Sequence, residues 1–124
     1  TVVNRSEDKI LLARHVGDED YKLFAGYIRK GENAEKALVR ELREETRLNA
    51  VKWRYHASRY HEQKDLLMLN YIVTADENAE TVLNEELTEV KWCTPEEAKE
   101  LIRKNSTAEH FLLGAFSELH PKKK

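Results

Sequence analysis

Apolar residues recur along this chain in two periods, and the switches between them outline alternating strands and helices. Residues 1–4 are short and β-prone. The polar turn Ser6-Glu7-Asp8 leads into an apolar run at 9–13 that reads as a hairpin strand. Residues 16–20 read as a turn, and 21–28 as a strand running into a loop at 29–32. Asn33 is an N-cap, with Glu35 in the first turn. Ala34, Ala37, Leu38 and Leu42 then form a helical stripe. Strands follow at 51–60, 66–74 and 89–93, with a loop over 76–83. Thr94, Pro95 and Glu97 form the start of a further helix with a capping box, whose apolar face is Ala98, Leu101 and Ile102. A last helix spans about 108–119, with Phe111, Leu112, Ala115, Phe116 and Leu119 as its stripe. Strands flanked by helices in this order predict an α/β/α sandwich around a mixed sheet.

Length and composition narrow the picture. A chain of 124 residues is one domain with room for a core. The reading is a single domain over 1–120 and a basic tail at 121–124 that ends in three lysines. A formal net charge of −2 gives no global support for a nucleic-acid partner. Cys93 is the single cysteine, so a disulfide within the chain and a cysteine-rich zinc site are excluded. A reducing cytoplasm is the expected compartment. No run is long enough to cross a membrane as a helix, and no signal peptide is visible. The chain opens directly in a strand, as an excised domain would, so a missing N-terminal segment stays open.

The chemistry concentrates in one helix. Glu41, Glu44 and Glu45 fall at positions i, i+3 and i+4 of a helical segment. Carboxylates so close repel, and a bound divalent cation is the simplest compensation. The competing reading is a solvated acidic face laced by Lys36, Arg40 and Arg43. The offsets of Gly26 and Glu32, the Asn33 cap and the preceding strand weigh against it.

The segment 26–48 resembles the Nudix box, G-x5-E-x7-R-E-U-x-E-E-x-G-U with U apolar. Gly26, Glu32, Arg40, Glu41, Leu42, Glu44, Glu45 and Leu48 all match. Arg47 stands where the pattern has glycine. The resemblance implies a Nudix-type sandwich and hydrolysis of a diphosphate linkage in a nucleoside diphosphate derivative, with Mg²⁺ or Mn²⁺. It further implies Glu41 and Glu45 as core metal ligands, and Glu44 as a further ligand or the base. The Gly26 carbonyl would join the metal shell. Arg40 would orient the carboxylates and Glu32 would pair with it. The family glycine ends the helix in a left-handed conformation. Arginine there either adopts that conformation at a cost of about 1 kcal/mol or more, or the helix continues toward Asn49.

Outside the box, Glu86 precedes Trp92 at the spacing where many members carry an additional metal ligand or base. A solvated acidic turn is the equal alternative. The layout is most similar to the NADH pyrophosphatase branch, but of its S-Q-P-W-P-F-P-x-S signature only Ser58 remains, and its zinc ribbon is absent. NAD(H) specificity is therefore not inherited. Tyr60 and His61 are the aromatic candidates for contact with a base. The expected partner is a small nucleotide. A homodimer through the apolar C-terminal helix stays open beside a helix that completes the core. Two alternatives stand beside the hydrolase: a catalytically silent nucleotide- or protein-binding module, and a pyrophosphatase that removes damaged nucleoside triphosphates.

Overall fold

A computed structural model describes residues 1–23, 28–76 and 87–119. Its strands are β1 (Val2–Val3), β2 (Ile10–His15), β3 (Ala50–His61), β4 (Leu66–Ala75) and β5 (Leu87–Cys93). They form one mixed sheet in the order β3-β4-β1-β2-β5. β1 runs parallel to β4, with Val2 opposite Val73, and the other pairs are antiparallel. The helices are α1 (Ala34–Thr46), α2 (Pro95–Leu101) and α3 (Thr107–Leu119).

Side chains alternate across a strand, and here the alternation sorts the core into two layers. Val2, Leu11 and Val73 pack with Leu42 and Leu48 under α1. Val3, Ile10, Leu12 and Ile72 pack with Phe111, Leu112, Ala115 and Phe116 of α3 on the other side. The expected α/β/α sandwich is the observed fold.

Local signals set the helix ends. The Asn33 side chain accepts from the Lys36 amide at 2.8 Å. Thr94 and Glu97 exchange hydrogen bonds as a reciprocal capping box, at 3.1 and 3.3 Å. α1 stops at Thr46, and Arg47 takes the left-handed conformation (φ 67°, ψ 5°), its amide donating to the Arg43 carbonyl at 2.9 Å. Arginine thus keeps the glycine-type cap, and the helix does not run on to Asn49.

Of the strand expected over 21–28, residues 21–23 and 28 are described. Within 21–28 the described residues make only isolated bridges, Lys22 with Ala13 and Tyr21 with Ile102. Leu23 is buried, and residues 24–27 lie outside the described set. Tyr21 and Lys22 are thereby held against the end of α2 and against β2.

Candidate active site

Two elements build the acidic centre: α1, and the loop that precedes it. Arg40 is the hub. Its Nε and Nη2 donate to the two Glu32 oxygens at 2.8 and 2.9 Å. Its Nη1 donates to Glu41 at 2.8 Å and to Glu44 at 3.2 Å. The Arg29 amide adds a bond to Glu32 at 3.1 Å. The guanidinium, seconded by that amide, holds the Glu32 carboxyl down at a pKa of about 2. The same carboxylate raises the Arg40 pKa. Arg29 also approaches Glu44 at 3.9 Å.

The three box glutamates occupy different environments. Glu44 is half exposed beside Arg40 and Arg29. Glu41 is partly covered and lines a cavity of about 490 Å³. Glu45 is only 6% exposed. Each helical residue advances about 100°. That turn sets Glu41 and Glu45 between Ala37 and Leu38, inside the apolar stripe. Glu44 falls beside the Ala37 edge of the stripe, so the expectation of a stripe partly opposite the glutamates does not hold.

The cavity lies between α1, β4 and α3. Ala37, Leu38 and Glu41 line it from α1, Met68 and Tyr71 from β4, and Phe111 from α3. Gly26 and Glu86 lie outside the described residues. Glu89, near Glu86 in sequence, accepts from the Tyr21 hydroxyl and from Arg14. Tyr60 is exposed, its hydroxyl bonded to Asp65, and His61 accepts the Lys64 amide at 3.3 Å. Neither Tyr60 nor His61 lines the cavity, whereas their neighbour Lys64 does. Lys64 and Tyr71 carry no site signal in the sequence, and Phe111 reads there only as part of a helical stripe. Only the register of β4 and the packing of α3 bring them there. Cys93 is fully buried, and burial raises its thiol pKa.

Carboxylate oxygens are the hard donors that Mg²⁺ takes. Among the described residues no three His, Cys, Asp or Glu side chains form a metal cage by themselves. Mg²⁺ commonly uses one or two carboxylates together with waters and substrate phosphates. The donor set of α1 fits that habit.

The site is thus a mixed sheet between helices, with an acidic helix beside a cavity. The NUDIX domain family model matches residues 1–113, and the chain belongs to the Nudix family. It is 33% identical over 93 residues to the NAD-capped RNA hydrolase NudC of Salmonella heidelberg, and equally to that of Salmonella typhi. These matches cover 73% of this chain but 36% of the relatives, so the chain spans about a third of their length. The E. coli ORF135 protein superposes with a TM-score of 0.70 at 25% identity, over 98% of this chain and 91% of that one. An Ap4A hydrolase of C. elegans gives 0.73 at 18% identity, over 94% and 92%. The latter likeness speaks for the fold alone. Among the described residues no helix is long and apolar enough to cross a membrane.

Proposed function

We propose that this chain hydrolyses a diphosphate linkage in a small nucleoside diphosphate derivative, using Mg²⁺ or Mn²⁺. One observation carries the reading. Glu41 and Glu45 stand one turn apart on the inward side of α1, and Glu41 reaches a ligand-sized cavity. A solvated salt-bridge face would turn both outward.

Glu41 and Glu45 would hold the ion, with Glu44 as a further ligand or as the base that accepts a proton from water. A bound divalent ion neutralises phosphate oxygens and lowers the pKa of water. Arg40 fixes Glu41 and Glu44 through one Nη1, so its role is positioning. Family practice favours a divalent metal, and the NudC relatives' name favours an NAD-type dinucleotide among the substrates to be tried.

The test is a product-release assay over NADH, NAD⁺, ADP-ribose, dinucleoside polyphosphates and nucleoside triphosphates, with Mg²⁺, Mn²⁺ and EDTA arms. Metal-dependent cleavage of a dinucleotide or sugar diphosphate supports the reading. Preferential cleavage of triphosphates would replace it with the sanitising role. Metal binding with no cleavage of any substrate would replace it with a binding module.

A further inference from the structure

β3 ends the sheet, and among the described residues β4 is its only strand neighbour. Its outer edge runs for about 40 Å at roughly 3.3 Å per residue. Alternate residues direct backbone N–H and C=O groups away from β4. Residues 51–55 are all exposed, although they include a valine, a tryptophan and a tyrosine. A long uncovered edge is a template for another strand.

The two faces of this edge differ in chemistry. Trp53 and Tyr55 stand opposite Val73 and Tyr71, which belong to the layer under α1. Arg54 stands opposite Ile72, of the layer under α3, and pairs with Glu118 of that helix at 2.8 Å. Lys52 shares the Arg54 face by alternation. Arg59 comes five positions after Arg54, and Tyr60 five after Tyr55. An odd step would set the members of each pair on opposite faces. The register shift between Tyr55 and Ala57 absorbs one residue. Arg59 therefore falls opposite Met68, which packs in the α3 layer, and Tyr60 falls opposite Leu67. Lys52, Arg54 and Arg59 line one face of the edge, and Trp53, Tyr55 and Tyr60 the other.

Both faces are open. Trp53, Tyr55 and Tyr60 are 41%, 53% and 52% exposed, and Lys52, Arg54 and Arg59 are exposed as well. β3 contains no Asp or Glu. A second copy pairing on this edge would set cation beside cation. The edge is thus closed to itself by charge and complementary to acid. A strand that alternates acidic and apolar residues meets both faces at once.

We propose that β3 takes an extended acidic segment of a partner protein as a further strand of the sheet. Its carboxylates lie beside Lys52, Arg54 and Arg59, and its apolar side chains beside Trp53, Tyr55 and Tyr60. Backbone hydrogen bonds supply the affinity, and the two faces supply the selection. None of these six residues lines the cavity at Glu41, so the docking is independent of the hydrolase reading.

The test is fluorescence anisotropy with a labelled peptide of about ten alternating glutamate and valine residues, together with NMR amide shifts of the protein. The peptide should bind saturably, with the largest shifts in residues 50–61. Lys52→Glu combined with Arg59→Glu should weaken binding about tenfold or more, and should let the lysine–valine counterpart bind instead. Both positions are exposed, and circular dichroism checks that the variant folds. N-methylation of the glutamate nitrogens and of the valine nitrogens, in separate peptides, should abolish binding in one case and spare it in the other, because only one set of donors faces β3. Absence of binding overturns the proposal. So does binding that survives the charge reversal, that is equal for the two methylated peptides, or that shifts amides mainly outside 50–61. A dimer in sedimentation that Tyr55→Ser dissociates overturns it in favour of a second copy. Tighter binding of a single-stranded oligonucleotide at the same amides overturns it in favour of a nucleic acid.

Discussion

Arg40 grips Glu32 through two parallel hydrogen bonds, Nε at 2.8 Å and Nη2 at 2.9 Å, and so ties the loop before α1 to the helix's second turn. Lysine cannot reproduce that planar fork. Arg40→Lys should therefore lower both Tm and turnover, with turnover falling further because Glu41 and Glu44 lose their common anchor. Thermal melts and steady-state kinetics on the same preparation check this. Equal losses from Arg40→Lys and Arg40→Ala in both readouts would fit the fork, and a fully active Arg40→Lys would not.

The same pair gives a pH signature. The Glu32 carboxyl titrates at about 2 in the folded protein against 4.5 normally, mainly through Arg40. A depressed carboxylate contributes stability above its unfolded value and loses it as pH falls through the folded one. Wild type should exceed Glu32→Gln in urea midpoint at neutral pH. The gap should narrow from 4.5 down toward about 2. A gap that does not change with pH would exclude the ion pair as its source.

Glu45→Gln should fold normally and lose activity by more than about a hundredfold. Near-native activity at saturating Mg²⁺ would remove Glu45 from the metal site. Circular dichroism controls for the fold, which matters for a residue this buried.

Arg47 sits at φ 67°, a region that side chains with a Cβ rarely adopt. Arg47→Gly should stabilise the protein by about 0.5–1 kcal/mol, the relief of strain exceeding the added chain entropy. Arg47→Val should destabilise it, because a β-branched residue tolerates the left-handed region least. Urea midpoints of the three proteins decide the ranking.

Gly114 of α3 passes close over His56. A Cβ there would lie 3.0 Å from His56 Cε1 and 3.2 Å from Nε2. The ring cannot yield readily, because Asn70 bonds it at 2.9 Å and Glu118 stands 3.7 Å away. Gly114→Ala should destabilise despite better helix propensity. With His56→Ala as background the same change should stabilise by about 1 kcal/mol. Burial also lowers the His56 pKa, with Glu118 opposing it. The neutral ring is thus favoured in the fold, and its contribution holds above the ordinary 6.5 and declines as pH falls below it. Wild type should lose more stability than His56→Ala between about pH 8 and about pH 5.

Much of this was readable beforehand because local chemistry determines it. Asn33 and the Thr94–Glu97 box act over three residues, so the helix starts followed from sequence. The inward placement of Glu45 also lay in the helical period, although its charge argued for the outside. The rest depends on partners remote in sequence. Residues 21–23 are placed by Ala13 and Ile102, which periodicity cannot foresee. Lys64 reaches the cavity only because the β3–β4 register, with Tyr60 opposite Leu67, aims the hairpin tip there.

The parallel pairing of Val2 and Val73 has a kinetic meaning. β3 and β4 are neighbours in sequence and can zip as a hairpin with little loop to close. β1, at the middle of the sheet, must wait for β4 to be made before it has one of its two partners. β2 must likewise wait for β5. The centre of the sheet is thus assembled from the most distant contacts, so folding should be limited by docking the early strands onto a preformed hairpin. Substitutions at Val3 and at the paired positions of β3 should both slow folding, because their contacts are made by the limiting step.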